Sequence, residues 1–296
     1  MRVAVTGGTG LIGRALVTAL RERGDTPVVL SRNPDRPEVH RWSDPKAEPA
    51  PAEALAGCDA VVNLLGEPIA QRWTDAAKRE IRASRELGTR NLVAGLRAAS
   101  PRPRVLVSQS GSGYYGPRGD EPVDEAEPPG DDFGATVTIA WEREADAAAE
   151  LGMRVVKTRT GVVLSPEGGA LAKMLPPFKL GVGGPVAGGR QYVPWIHADD
   201  VAGALLACID DDSLSGPVNL TAPNPATNAE LSRALGRALR RPALLPVPAL
   251  AVRLLYGEMA TIVTTGVRAV PAVLEAHRYE FREPDLERAV ERAVRG

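Results

Sequence analysis

A chain of 296 residues, 44% hydrophobic and 25% charged, is long enough for one large α/β domain or a domain carrying a cap. Its net charge of −1 argues against nucleic acid or an anionic membrane as partner. The longest apolar stretch, residues 244–256, is interrupted by Pro246, Pro248 and Arg253 and is too short to span a bilayer. Cys58 and Cys208 are far apart and lack ligand spacing, and none of His40, His197 and His277 has a metal-ligand partner nearby, so no metal, disulfide or redox pair is expected. With a strand at its first residues and no leader before it, the chain reads as cytoplasmic.

Residues 2–5 form a short apolar run that reads as a buried strand, and residues 11–23 carry apolar side chains at 12, 15, 16, 19 and 20, which is helical spacing. Between them stands Thr6-Gly7-Gly8-Thr9-Gly10-Leu11-Ile12-Gly13. Strand, glycine turn and helix in this order make a dinucleotide-binding start. The glycines let the backbone approach a pyrophosphate, and the helix N-terminus offers free N–H groups and a positive dipole end. Thr6, Gly7, Gly10, Leu11, Ile12 and Gly13 are therefore cofactor candidates.

A second strand at 27–30 leads into Ser31-Arg32-Asn33, and Arg32 lies 19 residues beyond Gly13. No acid stands there to take a ribose 2′-hydroxyl, whereas a guanidinium suits a 2′-phosphate, so Ser31 and Arg32 point to NADP. Further strands are expected at 39–42, 59–66, 105–108, 155–164 and 218–220. Helices are expected at 73–98, 132–151, from 195 to about 209, and at 228–239, the last capped by Asn228. Asn63, Leu64 and Gly66, at the exit of the 59–66 strand, fall where open α/β sheets bind ligands. The 30 glycines and 26 prolines concentrate in loops at 34–51, 116–130 and 165–190. From Pro242 the chain turns proline-rich and then weakly helical, which divides it into residues 1–240 and an appended cap at 241–296.

These features resemble the extended short-chain dehydrogenase/reductase superfamily. They are closest to its atypical NAD(P)-dependent epimerase/dehydratase-like subgroup, the "epimerase family protein" type. Beyond the glycine loop, the match rests on Asn63-Leu64-Leu65-Gly66-Glu67-Pro68-Ile69, Ser84-Arg85 and Gly113-Tyr114-Tyr115-Gly116. It continues through Met174-Leu175-Pro176-Pro177-Phe178, Gly189-Arg190-Gln191-Tyr192-Val193-Pro194-Trp195-Ile196-His197 and Arg241-Pro242-Ala243-Leu244-Leu245-Pro246. The resemblance implies a doubly wound parallel sheet, a Rossmann core, with a small, mostly helical C-terminal cap, an NADP-type cofactor and a small-molecule substrate. It implies a substrate-covering segment within about 165–195, where Arg190 and Gln191 are the substrate candidates and Arg190 is either an anion clamp or a solvated loop charge.

In the superfamily a tyrosine exchanges a proton with the substrate, and a lysine four residues later lowers its pKa. No tyrosine here has a lysine at that spacing, and aligning Glu142 with the superfamily's glutamate puts Gly134 and Thr138 at the Tyr and Lys positions. Ser110 best matches the superfamily serine, with Ser108 and Ser112 as competitors. Tyr114 is a proton donor, helped by Arg118, or a packing residue; Tyr115 reads as packing. Glu67 is an acid or base, or else pairs with Arg85 or Lys78. His197 and Asp200 read as a brace beneath the site. The expected activity is NADP(H)-dependent oxidation, reduction or epimerisation of a small hydroxyl or carbonyl compound. The alternative is a cofactor-binding sensor without turnover. No basic face or aromatic platform for RNA is evident, and the oligomeric state cannot be read.

Overall fold

The computed structural model describes residues 1–34 and 39–295. Residues 35–38, part of the expected 34–51 loop, lie outside the described residues, as does Gly296. Seven strands form one parallel sheet: β1 Arg2–Thr6, β2 Thr26–Ser31, β3 Val39–Arg41, β4 Ala60–Asn63, β5 Val105–Gly111, β6 Arg154–Thr160 and β7 Gly216–Leu220. Their order is β7-β6-β5-β4-β1-β2-β3. β1 pairs with β2 from Arg2↔Thr26 and with β4 from Val3↔Ala60, so the winding reverses between β1 and β4. That reversal opens a crevice at the carboxyl ends of the strands, where such sheets bind ligands.

Both faces of the sheet are covered, which is why its strands read as near-continuous apolar runs. Val3 and Val5 pack with Val62, Val107, Leu16 and Leu205 on one face, while Ala4 joins Val28, Val61, Leu106, Leu92 and Leu96 on the other. Leu16 and Leu20 belong to α1 (Leu11–Glu22) and Leu205 to α5 (Ala198–Asp210); Leu92 and Leu96 belong to α2 (Asp75–Ala98), and α3 (Phe133–Asp146) packs beside α2. Thr74 caps α2 by accepting from Ala77 N–H, and Asp132 caps α3 through Ala135 N–H at 2.7 Å.

Several local expectations shift. The 59–66 strand ends at Asn63, and the 155–164 strand divides. Val162–Leu164 leaves the sheet to pair with Trp195–His197, a close approach that Gly161 permits, since a Cβ there would stand 2.4 Å from Pro194 O. The 165–190 loop contains a helix, α4 (Gly169–Lys179), despite Pro176 and Pro177 in its last turns. Leu171, Leu175 and Phe178 repeat at helical spacing and bury against Leu164, Trp195, Leu231 and Leu235, a packing gain that overrides the proline penalty. α6 (Asn228–Leu239) is capped by Thr227, not Asn228: Thr227 Oγ accepts from Glu230 N–H while the Glu230 carboxylate accepts from Thr227 N–H at 2.7 Å.

Beyond residue 240 come α7 (Ala249–Tyr256), two one-turn helices at Ala260–Thr264 and Ala272–Ala276, and α8 (Leu286–Arg295), which packs on α6. Leu274 joins the core on the α1 side of the sheet, and Val290 joins the α4–α6 cluster. No helix among the described residues is long and apolar enough to cross a membrane.

Candidate active site and cofactor cleft

The glycine turn after β1 is shaped by close approach. Gly7 has φ +66°, and a Cβ there would lie 2.5 Å from Leu64 O, the carbonyl at the exit of β4. A Cβ on Gly13 would lie 2.2 Å from Gly7 O, and one on Gly8 2.8 Å from a Val29 methyl. Gly8, absent from the sequence-based set, is thus the glycine that lets the turn sit on β2. Gly10 is exposed and closes the turn, its N–H donating to Gly7 O at 2.9 Å. Gly10 is the N-cap of α1 and offers no side-chain oxygen, and the first turn holds no acid. The first helical bond is Arg14 N–H to Gly10 O, which leaves the N–H groups of Leu11, Ile12 and Gly13 without an acceptor among the described residues. A helix end so exposed is built for an anion.

Thr6 and Asn63 take another role than sequence alone assigned. Both are fully buried. Thr6 Oγ donates to Asn63 Oδ1 at 2.8 Å, and Asn63 Nδ2 donates to Thr89 and Ser108 hydroxyls at 2.9 and 3.2 Å. Their side chains are used up in tying β1, β4, β5 and α2 together, and Thr6 Oγ also accepts from Leu64 N–H. Their side-chain polar atoms are thus spent on bracing the carboxyl ends of β1 and β4. At the end of β2, Ser31 Oγ accepts from Asn33 N–H at 3.3 Å, while Arg32 is exposed and has no ion pair among the described residues.

Gly66 is exposed at the exit of β4, and a Cβ on it would lie 2.9 Å from the Arg85 guanidinium. Arg85 is buried over the Trp141 ring at 4.9 Å, and its Nε has no acceptor. Burial lowers its pKa to about 10, with the nearby Glu67 carboxylate working the other way. Glu67 N–H donates to Ser84 Oγ at 3.0 Å, and its half-buried carboxylate makes no hydrogen bond among the described residues. Lys78, the other expected partner of Glu67, is instead ion-paired with Glu258.

The serine and tyrosine assignments separate. Ser110 is buried, and its hydroxyl donates to Glu142 Oε1 at 2.7 Å. Glu142 in turn takes a two-pronged bond from Arg159 at 2.9 and 3.0 Å, and Arg159 donates to Tyr115 Oη at 3.1 Å and Glu125 O at 3.2 Å. Tyr115 Oη donates to Asn219 Oδ1 at 2.7 Å. Burial pushes the Tyr115 phenol up to about 12, the Arg159 bond opposing it. Burial works against the Arg159 charge, but Glu142 and Tyr115 more than offset it and hold the guanidinium protonated. Ser110 closes this network from inside β5. Ser112, half-buried in the Ser112–Tyr115 turn, makes no hydrogen bond among the described residues.

Tyr114 lies with its ring face 3.4 Å from the Arg159 guanidinium carbon and its edge against Tyr115, and its hydroxyl has no partner among the described residues. Arg118 does not reach it: Arg118 donates to Tyr115 O and Pro128 O. Thr138, at the lysine position, turns its hydroxyl back onto Gly134 O at 2.9 Å. Gln191 spends both amide protons on Val186 O and Val263 O at 3.0 and 2.8 Å, so it is a loop tie, whereas Arg190 is exposed and unpaired among the described residues. His197 Nδ1 accepts from Asp199 N–H at the start of α5, and the Asp200 carboxylate accepts from Arg282 and Glu283 N–H at 2.7 and 3.0 Å.

Sequence reasoning missed the contacts that clasp residues 70–78 to the C-terminal region. Trp73 packs edge-on against Phe133 at 4.8 Å, and Lys78 lies 5.1 Å over the same Phe133 ring, beside the position vacated by the superfamily tyrosine. Arg72 donates to Leu254 O and Leu255 O, Trp73 N–H to Tyr256 O, and Lys173 to Ala70 O. Lys78 and Glu258 stand 180 positions apart, and no local pattern joins them.

Fold and cleft together define a doubly wound dinucleotide-binding protein of the short-chain dehydrogenase/reductase type, with a clasped C-terminal cap. The chain belongs to the NAD dependent epimerase/dehydratase family, whose model matches residues 3–220, and residues 247–293 match a domain of unknown function, DUF1731. It is 43% identical to epimerase family protein Mb2239 of Mycobacterium bovis over 97% of this chain and 96% of that one. It is 37% identical to epimerase family protein SDR39U1 of Homo sapiens over 99% of this chain and 100% of that one. The crystal structure of the human SDR39U1 protein (isoform 2) with NADPH superposes with a TM-score of 0.91 at 37% identity over the whole of both chains. UDP-glucose 4-epimerase of Thermus thermophilus, with NAD, shares the fold at a TM-score of 0.77 and 21% identity.

Proposed function

We propose that this chain is an NADP(H)-dependent oxidoreductase or epimerase acting on a small hydroxyl or carbonyl compound, working without the Tyr-x-x-x-Lys pair. The observation that carries the cofactor assignment is the uncapped N-terminus of α1 behind Gly7, Gly10 and Gly13, with the exposed Arg32 guanidinium, which has no ion pair among the described residues, at the end of β2. An anion fits the first, and a 2′-phosphate fits the second. The NADPH in the human relative supports the same assignment. When bound, the nicotinamide supplies or accepts the hydride.

The residues left for proton transfer are those with free polar atoms. Arg159 fixes the plane of the Tyr114 ring and leaves its hydroxyl to give or take a proton at a substrate oxygen. Ser112 replaces Ser110 as the hydroxyl that can steady that oxygen, and Glu67 is a second acid or base. Arg190 suits an anionic group on the substrate. Calorimetric titration tests the cofactor step: tighter binding of NADPH than NADH is expected, with the preference lost in Arg32→Ala. Equal binding of both by the wild-type chain overturns the NADP assignment. In a carbonyl-reduction screen with NADPH, Tyr114→Phe is expected to lower turnover at least about a hundredfold, the scale of a general acid.

A second function, a cofactor sensor without turnover, is favoured by one observation: Ser110 and Thr138, at the positions of catalytic groups, have turned inward. NADPH binding without any turnover in that screen supports this alternative.

A further inference from the structure

Whole-chain charge conceals an uneven distribution. Residues 168–198 and 231–257 contain no aspartate or glutamate, yet they carry Lys173, Lys179, Arg190, Arg233, Arg237, Arg240, Arg241 and Arg253. The two stretches are neighbours in space: Val247 N–H donates to Pro185 O, Ala187 N–H to Val247 O, and a Cβ on Gly181 would touch Pro242. Lys179, Arg240, Arg241 and Arg253 are exposed and have no carboxylate partner among the described residues. A basic face is therefore present that the sequence average hid.

The same stretches hold the exposed leucines of the described chain. Leu180 is 78% exposed, Leu244 81% and Leu245 53%, while Leu250, Leu254 and Leu255 on α7 are 67%, 69% and 69% exposed. Leu250 and Leu254 are one helical turn apart, and Arg253 lies beside them. α7 buries only Val252 and is held to the body at its C-terminal end, where Arg72 takes the carbonyls of Leu254 and Leu255. Leucines this exposed, on loops and a short helix that also carry Arg240, Arg241 and Arg253, cations without a carboxylate partner among the described residues, suit an apolar and anionic counterpart.

We propose that this face docks on an anionic lipid surface, with the α7 leucines and Leu244 entering the headgroup–acyl boundary and the surrounding arginines meeting lipid phosphates. A second copy of the chain is a poor occupant, because an isologous contact would set the cations against each other. A bilayer adapts to projecting side chains, whereas a protein partner needs a matched cavity for each.

Cosedimentation of the full chain with vesicles tests the proposal, using phosphatidylcholine alone and phosphatidylcholine with about one part in three of phosphatidylglycerol. Partitioning onto the anionic vesicles is expected, at least about tenfold above the neutral ones and falling as salt is raised. Joint Arg240→Glu, Arg241→Glu and Arg253→Glu substitution should lower it at least about tenfold. Reversal of Arg97, in the last turn of α2, and Arg104, just before β5, should leave most of it. Joint Leu250→Ser and Leu254→Ser substitution should also abolish it while Tm stays within about 1 °C, since both side chains are already in water. The proposal is overturned if the wild-type chain stays in solution with anionic vesicles, or if the leucine variant binds them as the wild type does. It is equally overturned if sedimentation velocity shows that the leucines hold a dimer, or a complex with an acidic protein, that does not bind vesicles.

Discussion

Glu142→Gln tests whether Ser110 closes a structural network or serves the reaction. Glu142 holds both prongs of Arg159, and the two side chains are 7% and 4% exposed. Removing one charge of a buried pair strands the other and typically costs about 3–5 kcal/mol. Arg159 keeps its bonds to Tyr115 Oη and Glu125 O, so the lower end, about 3 kcal/mol, is expected. With an unfolding entropy of roughly 2.1 cal/mol/K per residue, that lowers Tm by about 5 °C in a chain of 296 residues. Ser110→Ala removes one neutral hydrogen bond, worth about 1 kcal/mol, and should lower Tm by about 1–2 °C. Differential scanning calorimetry at neutral pH, with NADPH titration to confirm a folded cleft, reads both. A Glu142→Gln protein melting within 1 °C of wild type would refute the buried-pair reasoning. A Ser110→Ala protein of unchanged Tm that has lost turnover would return Ser110 to the reaction.

Two further outcomes follow from the geometry. Burial lowers the His197 pKa from its ordinary 6.5, Asp199 opposing, so the unfolded chain takes up a proton before the folded one. Stability should be fully present above about pH 6.5 and fall as the pH drops toward the lowered folded value, and that part of the slope should vanish in His197→Gln, as read by urea unfolding between pH 5 and 8. Gly13→Ala drives a Cβ to 2.2 Å from the Gly7 carbonyl oxygen, whereas at Gly10 the same atom is 3.2 Å away and on the open side of the turn. Gly13→Ala should therefore lose both stability, by about 1–3 kcal/mol, and NADPH affinity. Gly10→Ala should weaken NADPH binding with a smaller loss of Tm; matching stability losses in the two variants would contradict the packing argument.

The legible parts of this protein were those in which neighbouring residues state their own environment. The glycine turn could be read because strand, glycines and helix follow one another within 23 residues, and Gly10 and Gly13 meet the Gly7 carbonyl of that same turn, whereas Gly7 and Gly8 meet Leu64 and Val29, which only the closed sheet brings there. Runs such as Val61-Val62 and Leu106-Val107 announced strands buried on both faces, and the absence of a lysine four residues from any tyrosine needed no structure to see. Periodicity also marked Leu171, Leu175 and Phe178, but proline composition masked the helix, because the burial that stabilises it comes from Trp195, Leu231 and Leu235.

Partner choice was decided by tertiary structure alone. Periodicity says that a side chain points inward and not what it meets there. Ser110 was matched as a serine on a strand end, and only the register of β5 against β6 and the seat of α3 set it against Glu142 and Arg159. Thr6 and Asn63 lie in the cofactor motifs, yet pairing across β1 and β4 turned their polar atoms on each other. Lys78 finds Glu258, and the C-terminal end of α7 is held by Arg72, through contacts between segments far apart in the chain. Local sequence thus determined the elements and the anion-binding turn. The long-range geometry that sets Arg159 against Glu142 and Lys78 against Glu258 exists only once the sheet and its cap have closed.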